Sequence, residues 1–207
     1  MSHAQLNQDI RALNFLKFKR NGYYVDIGAH DGIELSNTYL LEKQFDWSGL
    51  CIEANPYTFQ KLKENRPNSV CLNKLVFNTS GEKVEFNIAK DPMYSGISKL
   101  IVRHTHTLND GEKVVLDTET LSNILSENNS PMLIDYMTID VEGAELQVLK
   151  SIDFVKYKFA LIHLEHNYIE TNRKLIHDFL ISNDYVFFSQ NEWDDEYVHK
   201  SYLNLVA

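Results

Sequence analysis

Short apolar segments alternate with helical segments along the first third of the chain, and this alternation constrains the fold more than any other feature. GYYVDIG (22–28), GLCIEAN (49–55) and SVCLN (69–73) have the length and apolar character of buried strands. Apolar residues at helical spacing lie between the first two, and Asn55 followed by Pro56 predicts where a second helix begins. An order of strand, helix, strand, helix, strand predicts a parallel sheet with right-handed crossovers.

The alternation resumes after a less regular middle part. DYMTIDVEG (135–143) and FALIHLEHN (159–167) predict two further strands, each followed by a helical segment. We predict that DYVFFSQ (184–190) and SYLNLVA (201–207) form a closing hairpin around a polar ten-residue loop. A helix is expected in residues 1–20. No repeat or linker interrupts the pattern, so we predict one domain over the whole chain.

Composition excludes several classes of function. The chain has 207 residues with 20 Lys and Arg against 29 Asp and Glu, a formal net charge of -9. That balance argues against a broad phosphate-binding surface, so we expect no nucleic-acid partner. We expect no membrane span, because no apolar run approaches about 20 residues. Without an apolar signal segment, and with Cys51 and Cys71 in apolar strands as reduced core thiols, a cytoplasmic location is expected.

Acidic residues end four of the predicted strands, in the segments VDIGAHDG, CIEANP, MTIDVEG and IHLEHN. The carboxyl ends of parallel strands meet at one edge of the sheet, and ligands of open α/β sheets bind there. One acid at a strand end is unremarkable, because such residues often cap the next helix. Acids at four ends along one edge predict a polar ligand site.

The turn after the first strand indicates which ligand this is. Gly28 and Gly32 do not form the G-x-G-x-x-G fingerprint of dinucleotide sites. Asp26 and Asp31 flank the turn and would repel a phosphate. The turn suits a ligand that approaches the backbone closely, carries a cationic amine and lacks phosphate, and S-adenosylmethionine has these properties. The alternative is a tight turn in which Asp31 caps a helix.

Glu53 ends the second strand, 25 residues after Gly28. A carboxylate there can accept both hydrogen bonds from a ribose diol. The residues that follow the third strand, from Asn73 to Asn78, are placed by the same geometry beside an adenine.

These segments in this order resemble an FkbM-type S-adenosylmethionine-dependent methyltransferase: VDIGAHDG, LSNTYLLEK, GLCIEANP, IDYMTIDVEGAELQVLKS and LEHN. The resemblance runs from Gln5 to Trp193, and Gln5, Gln8 and Asp9 match part of the family's opening motif. It implies the class I α/β Rossmann-like fold, with a mostly parallel seven-stranded sheet, an antiparallel last strand and helices on both faces. It also implies methylation of hydroxyl groups, often on sugars or polyketides. The residues predicted to contact the cofactor are Asp26, Gly28, His30, Gly32, Asn37, Glu53, Asn78 and Asp140.

Two mechanisms are open at the ends of the fourth and fifth strands. In the first, His166 is the general base, with Asp140 and Glu165 as further catalytic residues. In the second, Asp140 and Glu165 hold Mg²⁺ or Mn²⁺ together with His166 or Asn167, and the ion acidifies an acceptor hydroxyl. The alternative is that these residues cap helices and pair with one another.

The acceptor side is less defined. Residues 91–112 predict an irregular loop that covers the acceptor, and Trp193, Asp194 and Asp195 are placed in the hairpin loop, where they can contact a sugar. We therefore predict O-methylation of a sugar or glycan hydroxyl. The rivals are an NAD-dependent sugar oxidoreductase and a catalytically idle nucleoside-binding module. The compact start is also compatible with a piece of a larger multidomain enzyme.

Overall fold

A computed structural model describes residues 2–205, which form an α/β fold with two sheets. The helices are α1 (Gln8–Phe15), α2 (Tyr39–Phe45), α3 (Pro56–Asn65), α4 (Thr107–Asp110), α5 (Leu121–Glu127), α6 (Glu145–Lys150) and α7 (Glu170–Ser182). The strands are β1 (Tyr23–Ile27), β2 (Ser48–Ile52), β3 (Val70–Leu72), β4 (Leu75–Val76), β5 (Lys83–Ile88), β6 (Gly96–Ile97), β7 (Glu112–Glu119), β8 (Leu133–Ile139), β9 (Lys158–Glu165), β10 (Tyr185–Asn191) and β11 (Asp194–His199).

The main sheet has seven strands in the order β10-β11-β9-β8-β1-β2-β3. Pairing is parallel from β9 through β8, β1 and β2 to β3, whereas β11 runs antiparallel to both of its neighbours. The predicted sheet, including its antiparallel last strand, is confirmed. Two apolar clusters cover its two faces, which is why the central strands read as continuous apolar runs.

A second sheet, in the order β4-β7-β5-β6, follows the third strand of the main sheet. It buries an apolar face of its own that includes Leu75, Phe86 and Ile97. The segment 91–112 was expected to be a loop, but it contains a 3-10 turn (Pro92–Tyr94), β6 and α4. Such short elements lack the periodicity that identifies longer ones in a sequence.

The first strand of the closing hairpin lies where the sequence predicts it, but the second strand is formed by other residues. The hairpin joins β10 to β11, so the assignment of SYLNLVA as the second strand is wrong. Lys200–Leu205 is a 3-10 helix, and residues 206 and 207 lie outside the described part of the chain. The second strand is instead β11, whose acidic residues were predicted to belong to a polar loop. The prediction failed because these acids are buried and paired with residues distant in the sequence.

The helices follow the predicted boundaries where a cap defines them. Asn55 caps α3 by accepting hydrogen bonds from the backbone N–H groups of Tyr57 (3.0 Å) and Thr58 (3.4 Å), and Pro56 is the first helical residue. The predicted N-terminal helix is shorter than residues 1–20 and consists of α1. Within residues 2–205, no helix has both the length and the apolar composition needed to cross a bilayer. Cys51 and Cys71 are free thiols on neighbouring strands.

Candidate active site

A cavity of about 310 Å³ lies at the carboxyl ends of β1, β2, β8 and β9, where the sequence predicts the ligand site. The second sheet closes one side of it through Phe86 and Ile97, and the N-terminal segment closes another through Gln5 and Gln8. Among the predicted site residues, the cavity is lined by Asp26, Gly28, His30, Asn37, Glu53, Asp140, Glu165 and Asn167. Asp26 and Glu53 therefore face one common space.

Gly28 allows the ends of β1 and β8 to approach each other. Its φ is +88°, and a Cβ atom at this position would lie 1.8 Å from the backbone oxygen of Asp140. Gly32 has a different role. A Cβ atom there would meet Arg66 Cγ and Leu62 Cδ1 at 2.6 Å, so this glycine packs against α3 and does not line the cavity. The prediction that Gly32 contacts the cofactor is therefore wrong.

Two hydrogen-bond acceptors lie at the end of β1. Asp26 is buried, and its Oδ2 accepts a hydrogen bond from Thr38 Oγ1 at 2.6 Å. Burial raises the pKa of Asp26, although the bond from Thr38 and the charge of Arg66 oppose this. Asn37 Nδ2 donates to Thr138 Oγ1 at 2.8 Å, and Asn37 Oδ1 is buried without a partner among the described residues. An acceptor of this kind is typical of a site that a ligand donor completes.

Glu53 is held rigidly at the end of β2. Its Oε2 accepts from the backbone N–H of His30 at 2.9 Å, and its Oε1 accepts from that of Asn55 at 2.7 Å. Burial raises the pKa of Glu53 to about 7, against the lowering effect of these two bonds. Each carboxylate oxygen has a further lone pair, so the side chain can accept two more hydrogen bonds from the cavity.

The chain after β3 reaches the cavity only briefly. Lys74, Leu75 and Val76 line it, whereas Asn78 does not. β4 pairs with β7, and the backbone N–H of Phe77 donates to the oxygen of Glu119, so the chain continues along the second sheet. The prediction that Asn78 contacts the cofactor is therefore wrong. Leu75 and Val76 line this side of the cavity instead.

Three carboxyl groups gather at the ends of β8 and β9. Asp140, Glu142 and Glu165 can bring one oxygen each within 4.8 Å of one another. Burial and the neighbouring negative charges raise the pKa of Asp140 and Glu165, and they raise that of Glu142 to about 8. Asp140 is nevertheless exposed to the open cavity. Carboxyls this close do not all ionise at neutral pH.

Asn167 does not offer a free oxygen to this cluster. Its Nδ2 donates to Glu165 Oε2, while Arg103 NH1 donates to its Oδ1 at 3.0 Å. A guanidinium beside Asn167 Oδ1 disfavours a metal ion there, so the predicted ligand Asn167 is replaced by Glu142 in the acidic cluster. Glu142 was not selected because the sequence places several acids near this turn without showing which of them face the cavity.

His166 is not placed to act as the predicted general base. It is buried outside the lining of the main cavity. Its Nδ1 accepts from the backbone N–H of Tyr168 at 3.0 Å, and its Nε2 lies 3.5 Å from Asp195 Oδ1 on β11. Asn167 and Tyr168, which follow His166, have left-handed backbone φ values of 48° and 56°, and the imidazole does not line the main cavity. We therefore correct this assignment.

Arg66, which no sequence motif singles out, is fully buried beneath the β1 turn. Its Nε donates to Glu42 Oε2 at 2.6 Å, and its NH1 donates to the backbone oxygen of Gly32 at 3.0 Å. The guanidinium also donates to Thr38 Oγ1 at 3.2 Å, and Thr38 in turn donates to Asp26. Arg66 thus connects α3 to the acid at the end of β1.

The Methyltransferase FkbM domain matches residues 26–191 of the chain. This chain belongs to the FkbM methyltransferase family. The match spans every strand end that lines the cavity, and it decides against the nicotinamide-dependent oxidoreductase. Family and fold together make the protein an S-adenosylmethionine-dependent methyltransferase. No curated protein matches the chain significantly.

Solved structures with the same fold are methyltransferases of low sequence identity. Precorrin-6y C5,15-methyltransferase from Geobacter metallireducens GS-15 has a TM-score of 0.50 at 12% identity, over 93% of this chain and 87% of that chain. The METTL16 MTase domain has a TM-score of 0.53 at 12% identity, over 94% and 66%. Human methyltransferase 10 domain containing protein has a TM-score of 0.50 at 12% identity, over 97% and 84%. At such identities the likeness shows the fold alone.

The residues of this FkbM methyltransferase fit S-adenosylmethionine. Asp26 and Asn37 Oδ1, which has no partner within residues 2–205, offer acceptors for an ammonium group, and Glu53 offers two lone pairs for a ribose diol. Gly28 leaves the backbone accessible between these two ends. The wall formed by Leu75, Val76 and the second sheet is apolar, as a stacked adenine requires.

We expect the replacement Glu53→Ala to weaken binding of S-adenosylmethionine about 10- to 100-fold, because hydrogen bonds to a charged acceptor contribute about 1.5–3 kcal/mol. Isothermal titration calorimetry measures the effect directly. Glu82→Ala removes an exposed acid outside the cavity lining and is the matched control, with unchanged affinity. An unchanged dissociation constant for Glu53→Ala contradicts the ribose contact.

Proposed function

We propose that this methyltransferase modifies a hydroxyl group of a sugar or glycan. The observation that carries the proposal is the pair Asp140 and Glu165 at the end of the cavity opposite the apolar adenine wall. A hydroxyl must lose its proton as it accepts a methyl group. A carboxyl pair that holds one proton between its two members keeps one negative charge, and the raised pKa of both groups makes the ionised carboxylate a better proton acceptor than an ordinary surface acid.

Aromatic side chains at the acceptor side support a carbohydrate. Tyr94 and His104 are stacked with ring centroids 4.3 Å apart, and both line the cavity together with Trp193. Aromatic faces bind the apolar C–H faces of sugar rings, while neighbouring polar groups bind the hydroxyls. Six acids line the cavity against Lys74 and Arg103, which disfavours a polyanionic acceptor such as nucleic acid.

Different residues of the cavity bind the cofactor and accept the proton. S-adenosylmethionine supplies the methyl group from its sulfonium. Asp26 and Asn37 bind one end of this cofactor and Glu53 the other, which fixes the reacting carbon in the cavity. Glu165, supported by Asp140, takes the proton of the acceptor hydroxyl. Alignment of acceptor and cofactor contributes much of the rate, because the sulfonium is already a good leaving group.

The acidic cluster also fits a divalent cation, which is a second candidate role for the same residues. Asp140, Glu142 and Glu165 provide oxygen donors, the type that Mg²⁺ and Mn²⁺ prefer. A bound ion would polarise an acceptor hydroxyl and so take over part of the task of the base. Titration with Mn²⁺ and activity after treatment with a chelator separate this role from metal-free base catalysis.

The proposal is tested with methyl-labelled S-adenosylmethionine and a panel of monosaccharides, oligosaccharides, a peptide and RNA. We expect label in a methyl ether on one of the sugars and none on RNA. Label on nitrogen, or on RNA alone, contradicts the proposal. A protein that binds S-adenosylhomocysteine but labels no acceptor in the panel or in extracted glycans is instead an idle nucleoside-binding module.

A further inference from the structure

Three consecutive acids at the start of β11, Asp194, Asp195 and Glu196, are all buried in the interior of the main sheet. Arg173 binds Asp195 with two donors, at 2.8 and 2.7 Å, and Arg11 pairs with Glu196. Both acids therefore have a cation that compensates their burial. Asp194 has none among the described residues. Its Oδ2 accepts a hydrogen bond from the neutral amide Nε2 of Gln8 at 2.6 Å.

Burying a carboxyl against a neutral partner is unfavourable, and burial raises the pKa of Asp194 to about 7 even though the bond from Gln8 opposes the shift. Glu196 and Asp195 attach β11 to α1 and α7 through Arg11 and Arg173, whereas Asp194 makes no such ion pair among the described residues. The location of Asp194 gives it a different use, because it lies directly opposite Glu165 in the register of β9 and β11.

Gln8 belongs to the N-terminal segment (residues 2–9), which forms one wall of the cavity. Asp9 accepts from Ser2 Oγ at 2.6 Å and from the backbone N–H of His3 at 3.0 Å, which fixes the shape of the segment. At one side the ring of His3 packs on Tyr39 at 4.6 Å, where α2 begins. At the other side Gln8 binds Asp194.

Gln8 is itself positioned by two contacts. Its Oε1 accepts from the backbone N–H of Leu6 at 2.8 Å, and its Nε2 donates to Asp194. The side chain is 4% exposed, and it lines the cavity. Without Asp194, the amide would lose the bond that fixes its orientation, and the segment would keep fewer contacts to β11.

We propose that Asp194 is a positioning residue for cofactor binding: it holds Gln8, and with it the N-terminal segment, against the cavity beside Asp140 and Glu165. The segment forms a wall of the cofactor cavity only when it is docked. The apparent affinity for the cofactor therefore falls in proportion to the docked fraction, and the Gln8–Asp194 bond raises that fraction together with the bond from Asn191 Nδ2 to the backbone oxygen of Leu6 at 3.0 Å.

The test compares three variants by calorimetric titration with S-adenosylhomocysteine, at a temperature where circular dichroism shows each to be folded. We expect Asp194→Ala to raise the dissociation constant about 10- to 100-fold, because the bond involves a carboxylate. Asp194→Asn keeps an acceptor oxygen for Gln8 Nε2 and should bind within about threefold of the wild type. Gln8→Leu should weaken binding, and Asp194→Ala should add little to it in the double variant.

Glu196→Gln is the matched control, because Glu196 lies on the same strand, also contacts α1 and does not line the cavity. We expect it to lower stability without changing the dissociation constant. Hydrogen exchange of residues 2–9 should accelerate in Asp194→Ala and not in Asp194→Asn. Wild-type affinity in Asp194→Ala overturns the proposal, and so does equal impairment of the Ala and Asn variants. Neither outcome depends on the identity of the acceptor. If Asp194→Ala does not fold, the Asn variant and Gln8→Leu decide the question.

Discussion

The replacement Glu165→Gln should lower turnover about 10²- to 10⁴-fold, the contribution that a positioned general base typically makes. Glutamine has nearly the same shape but cannot take up the proton of an acceptor hydroxyl. Affinity for S-adenosylmethionine should change less than threefold, because Glu165 lies on the acceptor side of the cavity. Single-turnover rates with labelled cofactor measure the first effect, and calorimetry measures the second.

The pH dependence gives this prediction a second readout. Burial and the nearby acids raise the pKa of Glu165, so its ionised, proton-accepting form becomes more populated as the pH rises. The wild-type kcat/KM should therefore increase with pH and then level off, and Glu165→Gln should lose that increase. Glu170→Gln removes an exposed acid at the start of α7 and is the control. Wild-type turnover in Glu165→Gln excludes both the base role and an essential metal-ligand role for this residue.

The replacement Arg66→Met should lower the free energy of unfolding by about 3–5 kcal/mol, because it leaves the carboxylate of Glu42 buried without its guanidinium partner. Urea denaturation measures this change. Lys61→Met on the exposed side of α3 is the control and should change stability by less than about 0.5 kcal/mol. The double variant Glu42→Met with Arg66→Met should recover part of the loss, because it removes both charges. A single variant as stable as the wild type contradicts this account of the buried pair.

Acid sensitivity should change in the same variant. Burial alone would raise the pKa of Glu42, but hydrogen bonds from Lys43 and Ser69 and the charge of Arg66 hold it at about 2. Because the folded pKa lies below the ordinary value of 4.5, the pair stabilises the fold fully above that pH. That contribution is lost as the pH falls toward 2. Arg66→Met should flatten this part of the stability profile, and its affinity for S-adenosylhomocysteine should fall because Thr38 and Asp26 lose their support.

Strand ends were predictable because local signals define them. The apolar runs before Asp26, Glu53 and Asp140 are short enough to be strands, and parallel topology brings their ends to one edge of the sheet. The identity of the neighbouring residues that turn into the cavity was less accessible. Asn78 follows the chain along the second sheet and His166 is buried outside the main cavity, and neither placement has a periodic signal in the sequence.

Buried polar pairs were the main features that could not be predicted from the sequence. Asp194, Asp195 and Glu196 have the composition of a surface turn, and their pairing with Gln8, Arg173 and Arg11 accounts for their burial in β11, next to the edge strand of the main sheet. Two of these partners lie near the other end of the chain. Arg66 was missed for the same reason, since its partners Gly32, Thr38 and Glu42 are spread over the preceding helix and turn. Pairing between residues that are distant in the sequence does not change the local hydrophobic periodicity, so the periodicity cannot predict it.

The origin of the second sheet in one part of the chain has a consequence for how relatives can differ from it. It is built from one uninterrupted stretch between β3 and α5, and its hydrogen-bonded ladders are separate from those of the main sheet. Phe86, Ile97 and the adjoining Tyr94 and His104 reach the cavity from this stretch, whereas Asp26, Glu53 and Asp140 reach it from the main sheet. A relative that differs only within this stretch would therefore present different cavity walls, including those at Leu75 and Val76, around the same three acids of the main sheet.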